Sequence, residues 1–271
     1  NNYTFIIIYE IWENKATTRY APFAKSQYVL SEVLQSHIVQ KYRHWIVKND
    51  TIIWQYEKKI LYRSGKADFV IMIDAIKDRR SIRRYRTDEV PRPYIEEILR
   101  AGTLAPSSKN RQPWKFTVVQ GKAKKEMLHV MEDGLNRERI NPLLPESRKL
   151  LKGAEYTLSI MKQAPVIIFV TNRNGTDIRE KMNAEERIYE ICNAQSVGAA
   201  IENMTLTATE LGLGSLWICD TYFAYDELTE WLGDAGALYA ALAVGYADEN
   251  PAPRPRKDIS FVTEWRQEAE A

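Results

Sequence analysis

The sequence predicts a mixed fold of strands and helices, α/β or α+β, over residues 72–271. Three observations predict it. Short continuous apolar runs, APVIIFVT at 164–171 and ALYAALAVGY at 237–246, suit strands buried on both faces. Segments with apolar residues three and four apart, the spacing of one helix face, alternate with them. Turn residues are plentiful there, whereas residues 1–71 hold only one of the 12 glycines and one of the 11 prolines.

Residues 1–71 therefore read as a separate segment. They carry 13 of the 29 aromatics, and ten Lys and Arg against six Asp and Glu, while the remaining 200 residues carry 28 against 30. VLSEVLQSHIVQKY (29–42) fits an amphipathic helix with Val29, Leu30, Val33, Leu34 and Ile38 on one face. TIIWQYEKKILYR (51–63) fits a strand or a second helix.

From Met72 the elements follow in order. IDAIKDRR is a short helix. RPYIEEILRAGTLA is another, with Ile95, Ile98, Leu99 and Gly102 on one face, Pro93 near its start and Pro106 stopping it. WKFTVVQG is a strand, GKAKKEMLHVMEDGL a helix, and APVIIFVT a buried strand. The stretch from Glu185 to Gly214 holds a long helix, apolar on more than one side through Ile188, Ile191, Ile201, Met204 and Leu211. Such a helix lies in a core or in a subunit interface. GSLWICD is a strand, DELTEWLG a helix and ALYAALAVGY a strand.

Composition removes several classes of function. A net charge of +2 asks for neither nucleic acid nor a membrane surface. Cys192 and Cys219 are the only cysteines, which is neither a disulfide framework nor a zinc site, so a cytoplasmic protein is expected. The apolar run in YTFIIIYEIW is too short for a signal or a membrane span. His37, His44 and His129 lack metal-ligand spacing, and no GxSxG or Walker loop occurs.

Four stretches remain. RRSIRRY, Arg79 to Tyr85, gathers four arginines whose forks match phosphate oxygens; a solvated helix end would look the same. LAPSSKNRQPW, Leu104 to Trp114, packs hydrogen-bonding groups between two prolines, which suits a ligand or a plain polar connector. ELGLGSLWICD, Glu210 to Asp220, has Gly-x-Gly after a helix instead of before one, so it is a helix cap feeding a strand and not a dinucleotide fingerprint. Within it, Cys219 reads as a small buried hydrophobe on that strand. NPAPRPRKD, Asn250 to Asp258, is held extended by its prolines, with Arg254 and Arg256 on one side, as an anion clamp or a solvated tail. With no obvious acid–base pair or nucleophile, a cofactor is expected to carry any chemistry.

Together RRSIRRY, LAPSSKNRQPWKF, NMTLTATELGLGSLWI and GYADENPAPRPRK resemble, in order and spacing, the FMN-dependent nitroreductase family over residues 72–271. The resemblance implies an α+β fold of three layers, a mostly antiparallel sheet between helices, in an intertwined homodimer. It implies two FMN sites, each built from both subunits, with NADH or NADPH as donor and a nitroaromatic, quinone or related small molecule as acceptor. Arg79, Arg80 and Ser81 would lie near the FMN phosphate, and Arg83 near the ring or ribityl chain. Arg254 and Arg256 would close on the phosphate from the C-terminal side. Pro106, Ser107, Ser108, Asn110 and Gln112 would reach the FMN of the other subunit. Trp217, Ile218 and Cys219 would line the flavin, with a backbone N–H near Cys219 or Asp220 facing its N5. Some relatives carry an acidic residue where this chain has Cys219, which bears on potential and substrate choice. The same resemblance leaves room for a dehalogenase, a ring-oxidising enzyme, or a flavin-binding redox sensor without turnover. In either enzyme, Asn136 to Leu151 is the stretch expected to set the substrate. Residues 1–71 fall outside it and are expected to be an extension of unknown role, without a stable fold of its own, before a natural start at Met72.

Overall fold

The computed structural model describes residues 45–48, 51–56, 59–61, 73–233 and 236–266. The chain divides into two compact units, Asn1–Ile71 and Met72–Ala271. In the first, β1 (Trp45–Lys48), β2 (Thr51–Tyr56) and β3 (Lys59–Leu61) pair antiparallel in the order β1-β2-β3. The described residues of the 51–63 stretch are thus strand. The helix expected over 29–42 lies outside the described residues.

The second unit is built on four strands: β4 (Lys115–Val119), β5 (Val166–Asn172), β6 (Gly214–Ile218) and β7 (Ala237–Gly245). Their order is β4-β5-β7-β6 and every pair is antiparallel, which decides for α+β over α/β. β5 is buried along its whole length, as its unbroken apolar run requires. Its alternate residues feed two cores. Ile167 and Phe169 join one, and Val166, Ile168 and Val170 join the other. Truncating Phe169 to Ala would open a cavity in the first and cost about 3–5 kcal/mol.

Six helices among the described residues cover the two faces. α1 (Asp74–Asp78) is a single short turn, and α2 (Arg92–Thr103) stops just before Pro106 as its pattern requires. α2 and the long α5 (Ala184–Glu210) fill one core through Ile95, Ile98, Ile201 and Met204. α3 (Gly121–Ile140), α4 (Leu151–Gln163) and α6 (Tyr225–Leu232) fill the other through Met127, Met131, Leu158, Met161 and Leu228. The result is helix, sheet, helix. α3 runs beyond the stretch expected from sequence, and α4 was not foreseen. Leu151, Ala154, Leu158 and Met161 do share the helical spacing, but a glycine among them masks the pattern.

α5 opens with a capping box. Asn183 accepts from the Glu186 N–H, and the Glu186 side chain accepts from the Asn183 N–H, both at 2.9 Å. It closes on Gly212, whose φ of +74° allows the Gly212 N–H to reach Thr209 O and the Leu213 N–H to reach Ala208 O. The glycine pair read as a cap is a cap. The following strand ends at Ile218, two residues earlier than expected, and Cys219 leads into a 3-10 turn over Asp220–Ala224.

Candidate functional site

After α1 the arginine stretch is stitched to the sheet. Ser81 forms a parallel bridge with Ser215 of β6, and the Ile82 N–H donates to Ser215 O at 2.9 Å. The chain then runs against the segment leaving β7. The Asp248 N–H donates to Arg84 O and the Arg86 N–H to Tyr246 O, both at 2.9 Å. Two glycines permit this approach. A Cβ on Gly214 would stand 2.7 Å from Ile82 Cγ1, and one on Gly245 would stand 2.9 Å from Tyr85 Cδ1. Tyr85 is buried and donates its hydroxyl to Ile82 O and Ala243 O. Burial first, and the Glu249 charge second, push that hydroxyl far above the ordinary tyrosine range, so it stays a donor.

The arginines themselves are part-exposed. Arg79 Nε lies 3.8 Å from Glu202 Oε1 of α5. The Arg80 guanidinium donates to Lys77 O and Arg79 O at 2.6 and 2.9 Å, and that of Arg83 to Ser81 O at 3.1 Å. Along β6, Trp217 follows Ser215 by two residues, so both point from the same side of the strand about 7 Å apart. Leu216 and Ile218 turn inward, while Trp217 stays 40% exposed, an uncovered indole on an edge strand. A Cβ on Gly198 of α5 would meet the indole Cη2 at 3.6 Å, so α5 approaches closely there.

Cys219 is exposed, which corrects its reading as a buried hydrophobe on the strand. Partial desolvation, helped by the Asp220 charge, pushes its thiol up, so it is a neutral thiol near pH 7. Asp220 accepts the Thr157 hydroxyl of α4, which ties the strand end to the opposite layer.

The polar loop is held differently. Pro106 is exposed and Ser107 and Ser108 half-buried, and a 3-10 turn spans Ser108–Asn110. Lys109 and Asn110 have φ of +53°, and Gln112 +50°, a conformation that side chains rarely adopt. The Ser107 hydroxyl accepts from the Gln112 N–H at 3.0 Å, and the Gln112 amide donates to Asn110 Oδ1 at 3.3 Å. The Ser108 N–H donates to the Ser196 hydroxyl of α5 at 3.3 Å, and the Arg111 guanidinium stacks 4.4 Å from the Tyr189 ring centroid. Asn203 of α5 caps the end of α2 by donating to Ala101 O at 3.1 Å.

These contacts fall on two flanks of one helix. At 100° per residue, Ser196 and Asn203 stand about 20° apart, and Gly198 and Glu202 about 40° apart, while Ser196 and Gly198 differ by about 160°. Within one chain, α5 therefore separates the loop from the arginines and Trp217. Arg254 and Arg256 are exposed, and among the described residues Arg256 bonds to the neighbouring carbonyls of Arg254 and Pro255. Sequence reasoning missed Ser196, Gly198, Glu202 and Asn203. Their signal is small or polar residues on a helix otherwise read as apolar.

A cleft of about 560 Å³ lies between the start of α5 and the ends of β4 and β5, with Arg111, Gln112, Trp114 and Glu190 among its walls. Glu190 accepts from the Thr176 N–H, Asn193 and the Tyr239 hydroxyl. Among the described residues, no group of three His, Cys, Asp or Glu could hold a metal, and no helix is long and apolar enough to cross a membrane.

The sequence model of the Nitroreductase family matches residues 76–246. The nitroreductase NfnB of Mycolicibacterium smegmatis is 26% identical over 212 residues, spanning 70% of this chain and 90% of that protein. The solved structure of the FMN-dependent nitroreductase NfnB from Mycobacterium smegmatis in complex with NADPH aligns with 71% of this chain and 96% of its own at 24% identity, with a TM-score of 0.57. A BluB-like flavoprotein from Clostridium difficile is 26% identical, aligning 72% of this chain and 98% of its own with a TM-score of 0.57. The iodotyrosine deiodinase of Hydra vulgaris is 28% identical over 169 residues, 59% of this chain and 60% of that protein.

Proposed function

The chain belongs to the Nitroreductase family, and from that premise we propose that it is an FMN-dependent oxidoreductase, active as a homodimer, that uses NADH or NADPH to reduce nitroaromatic, quinone or related acceptors. The observation that carries this reading is the division of α5 into two flanks. An uncovered indole lies beside arginines on one flank, and a strained polar loop lies on the other. A flat ring with a phosphate tail needs all three groups, and a second copy of the chain would bring the loop of one to the indole of the other. The exposed Ile188 and Ile191, 59% and 52% accessible, supply apolar surface for that pairing.

The residues fit FMN by their chemistry. Arg79, Arg80 and Ser81 would hold the phosphate end, with Arg254 and Arg256 closing from the tail, and Arg83 would lie near the ring or ribityl chain. Trp217, Ile218 and Cys219 would border the ring, and Pro106, Ser107, Ser108, Asn110 and Gln112 would reach in from the partner. Bound FMN supplies hydride transfer from the reduced nicotinamide to the acceptor, in ping-pong order. The protein's part is orientation and field. Cationic guanidiniums favour the anionic reduced ring, and Cys219 stays neutral and adds no opposing charge. The Hydra relative favours a second reading of the same site, reductive dehalogenation, with residues 136–151 selecting the substrate.

The test is a visible spectrum of the purified full chain, followed by NADH and then NADPH without oxygen. Flavin bands that bleach support the oxidoreductase, and loss of iodide or bromide from a halogenated phenol would support the second reading. Bands that persist would leave a flavin-binding sensor. A colourless chain that takes up no FMN would overturn the proposal.

A further inference from the structure

We propose that Glu249 is the positioning residue of the arginine stretch, fixing the backbone at Arg83 and Arg84 and the root of the tail that carries Arg254 and Arg256. This rests on the FMN reading above. Glu249 lies just past β7, with a side chain only 17% exposed, among arginines. A half-buried carboxylate is stable there only if its lone pairs are used. They are used three times. Glu249 Oε1 accepts the Arg83 N–H at 2.5 Å and the Arg84 N–H at 3.2 Å, and Oε2 meets Arg84 Nε at 3.4 Å.

Consecutive N–H groups of an extended chain point to opposite sides, so two that reach one oxygen mark a bend. The bend falls where the stretch changes partners. Ile82 still bonds to Ser215 beside β6, whereas Arg84 already pairs with Asp248 beyond β7. Glu249 thus sets the corner between the edge strand β6 and the segment leaving β7. It also divides the two arginines. Arg84 is neutralised by Glu249, while Arg83 turns to Ser81 O and makes no ion pair among the described residues. Arg83 thus stays available for the ring or ribityl chain, and the phosphate falls to Arg79 and Arg80 before the corner and to Arg254 and Arg256 after it. Because Glu249 is bonded to the stretch, Asn250 and the prolines after it leave from a fixed point.

The experiment titrates the full chain and its Glu249→Ala and Glu249→Gln variants with FMN and with riboflavin, which lacks the phosphate. A residue that merely supported the fold would weaken both flavins alike. Positioning of the arginines predicts that Glu249→Ala weakens FMN about tenfold, while riboflavin shifts less than about twofold. Glu249→Gln, which keeps one acceptor oxygen, loses about threefold for FMN alone. Should Glu249→Ala fail to fold, judged by circular dichroism, Glu249→Gln decides. An unchanged preference for FMN over riboflavin in the folded variants would overturn the role of Glu249 and leave the FMN reading standing. A wild-type chain with no preference for FMN would overturn both.

Discussion

The arginine stretch and the polar loop hold their shapes by opposite means. Residues 81–86 are fixed by main-chain bonds to the edge strand β6 and to the segment leaving β7, with two glycines opening the space. Among the described residues, those of 104–114 form no main-chain bond to a strand. They rest on local side-chain bonds and on α5, and three of their residues carry positive φ. The comparison teaches that one half of the candidate site is preformed by the sheet, whereas the other is strained and depends on its supports. Strain held by surroundings is a feature of ligand-binding segments.

Four changes would break or sharpen that contrast. Arg79 and Arg80 replaced together by Ala should weaken FMN about a hundredfold, by loss of charge-assisted bonds, with riboflavin little changed. Calorimetric titration reads this directly, and equal losses for both flavins would remove the phosphate role. Gly214→Val would drive a side chain into Ile82 and cost about 1–3 kcal/mol of stability in urea unfolding, because the stretch sits too close to move. An unchanged midpoint would mean the stretch is not pinned there. Ser196→Ala leaves the Ser108 N–H without its acceptor and should cost about 1 kcal/mol, with FMN affinity falling along with it. Lys109→Gly should act in reverse. Glycine adopts the left-handed conformation freely, so stability should rise by about 0.5–1 kcal/mol with FMN binding unaltered. A loss of stability on that change would show that the loop is not strained at Lys109.

The opposite layer adds a pH dependence. Arg137 donates to Glu227 through two nitrogens, at 2.9 and 3.1 Å. Burial alone would raise the Glu227 carboxyl, but the Arg137 bonds outweigh it and hold the group below its ordinary value. A depressed folded value stabilises the protein above the unfolded pKa, and that contribution fades as pH falls through the folded value. Stability should therefore decline on acidification below about pH 4.5, and less so in Glu227→Gln, as thermal melts across that range would record.

Local pattern made much of the fold legible. The unbroken run of β5, the single apolar face of α2 and the cap at Gly212 are near-neighbour facts, and a residue string carries such facts openly. α4 escaped because Gly153 and scattered polar residues blur its stripe. Cys219 was misread because Ile218 ends the strand two residues short, and where a strand ends depends on its register against β7. The four motifs stood out by residue type alone. Their arrangement did not. That Ser196 and Gly198 hold the loop and the indole on opposite flanks of α5, and that Glu249 reaches back to Arg83, are contacts between residues far apart in the chain. Spacing along a chain records its own turns, whereas such meetings are decided by how whole layers pack.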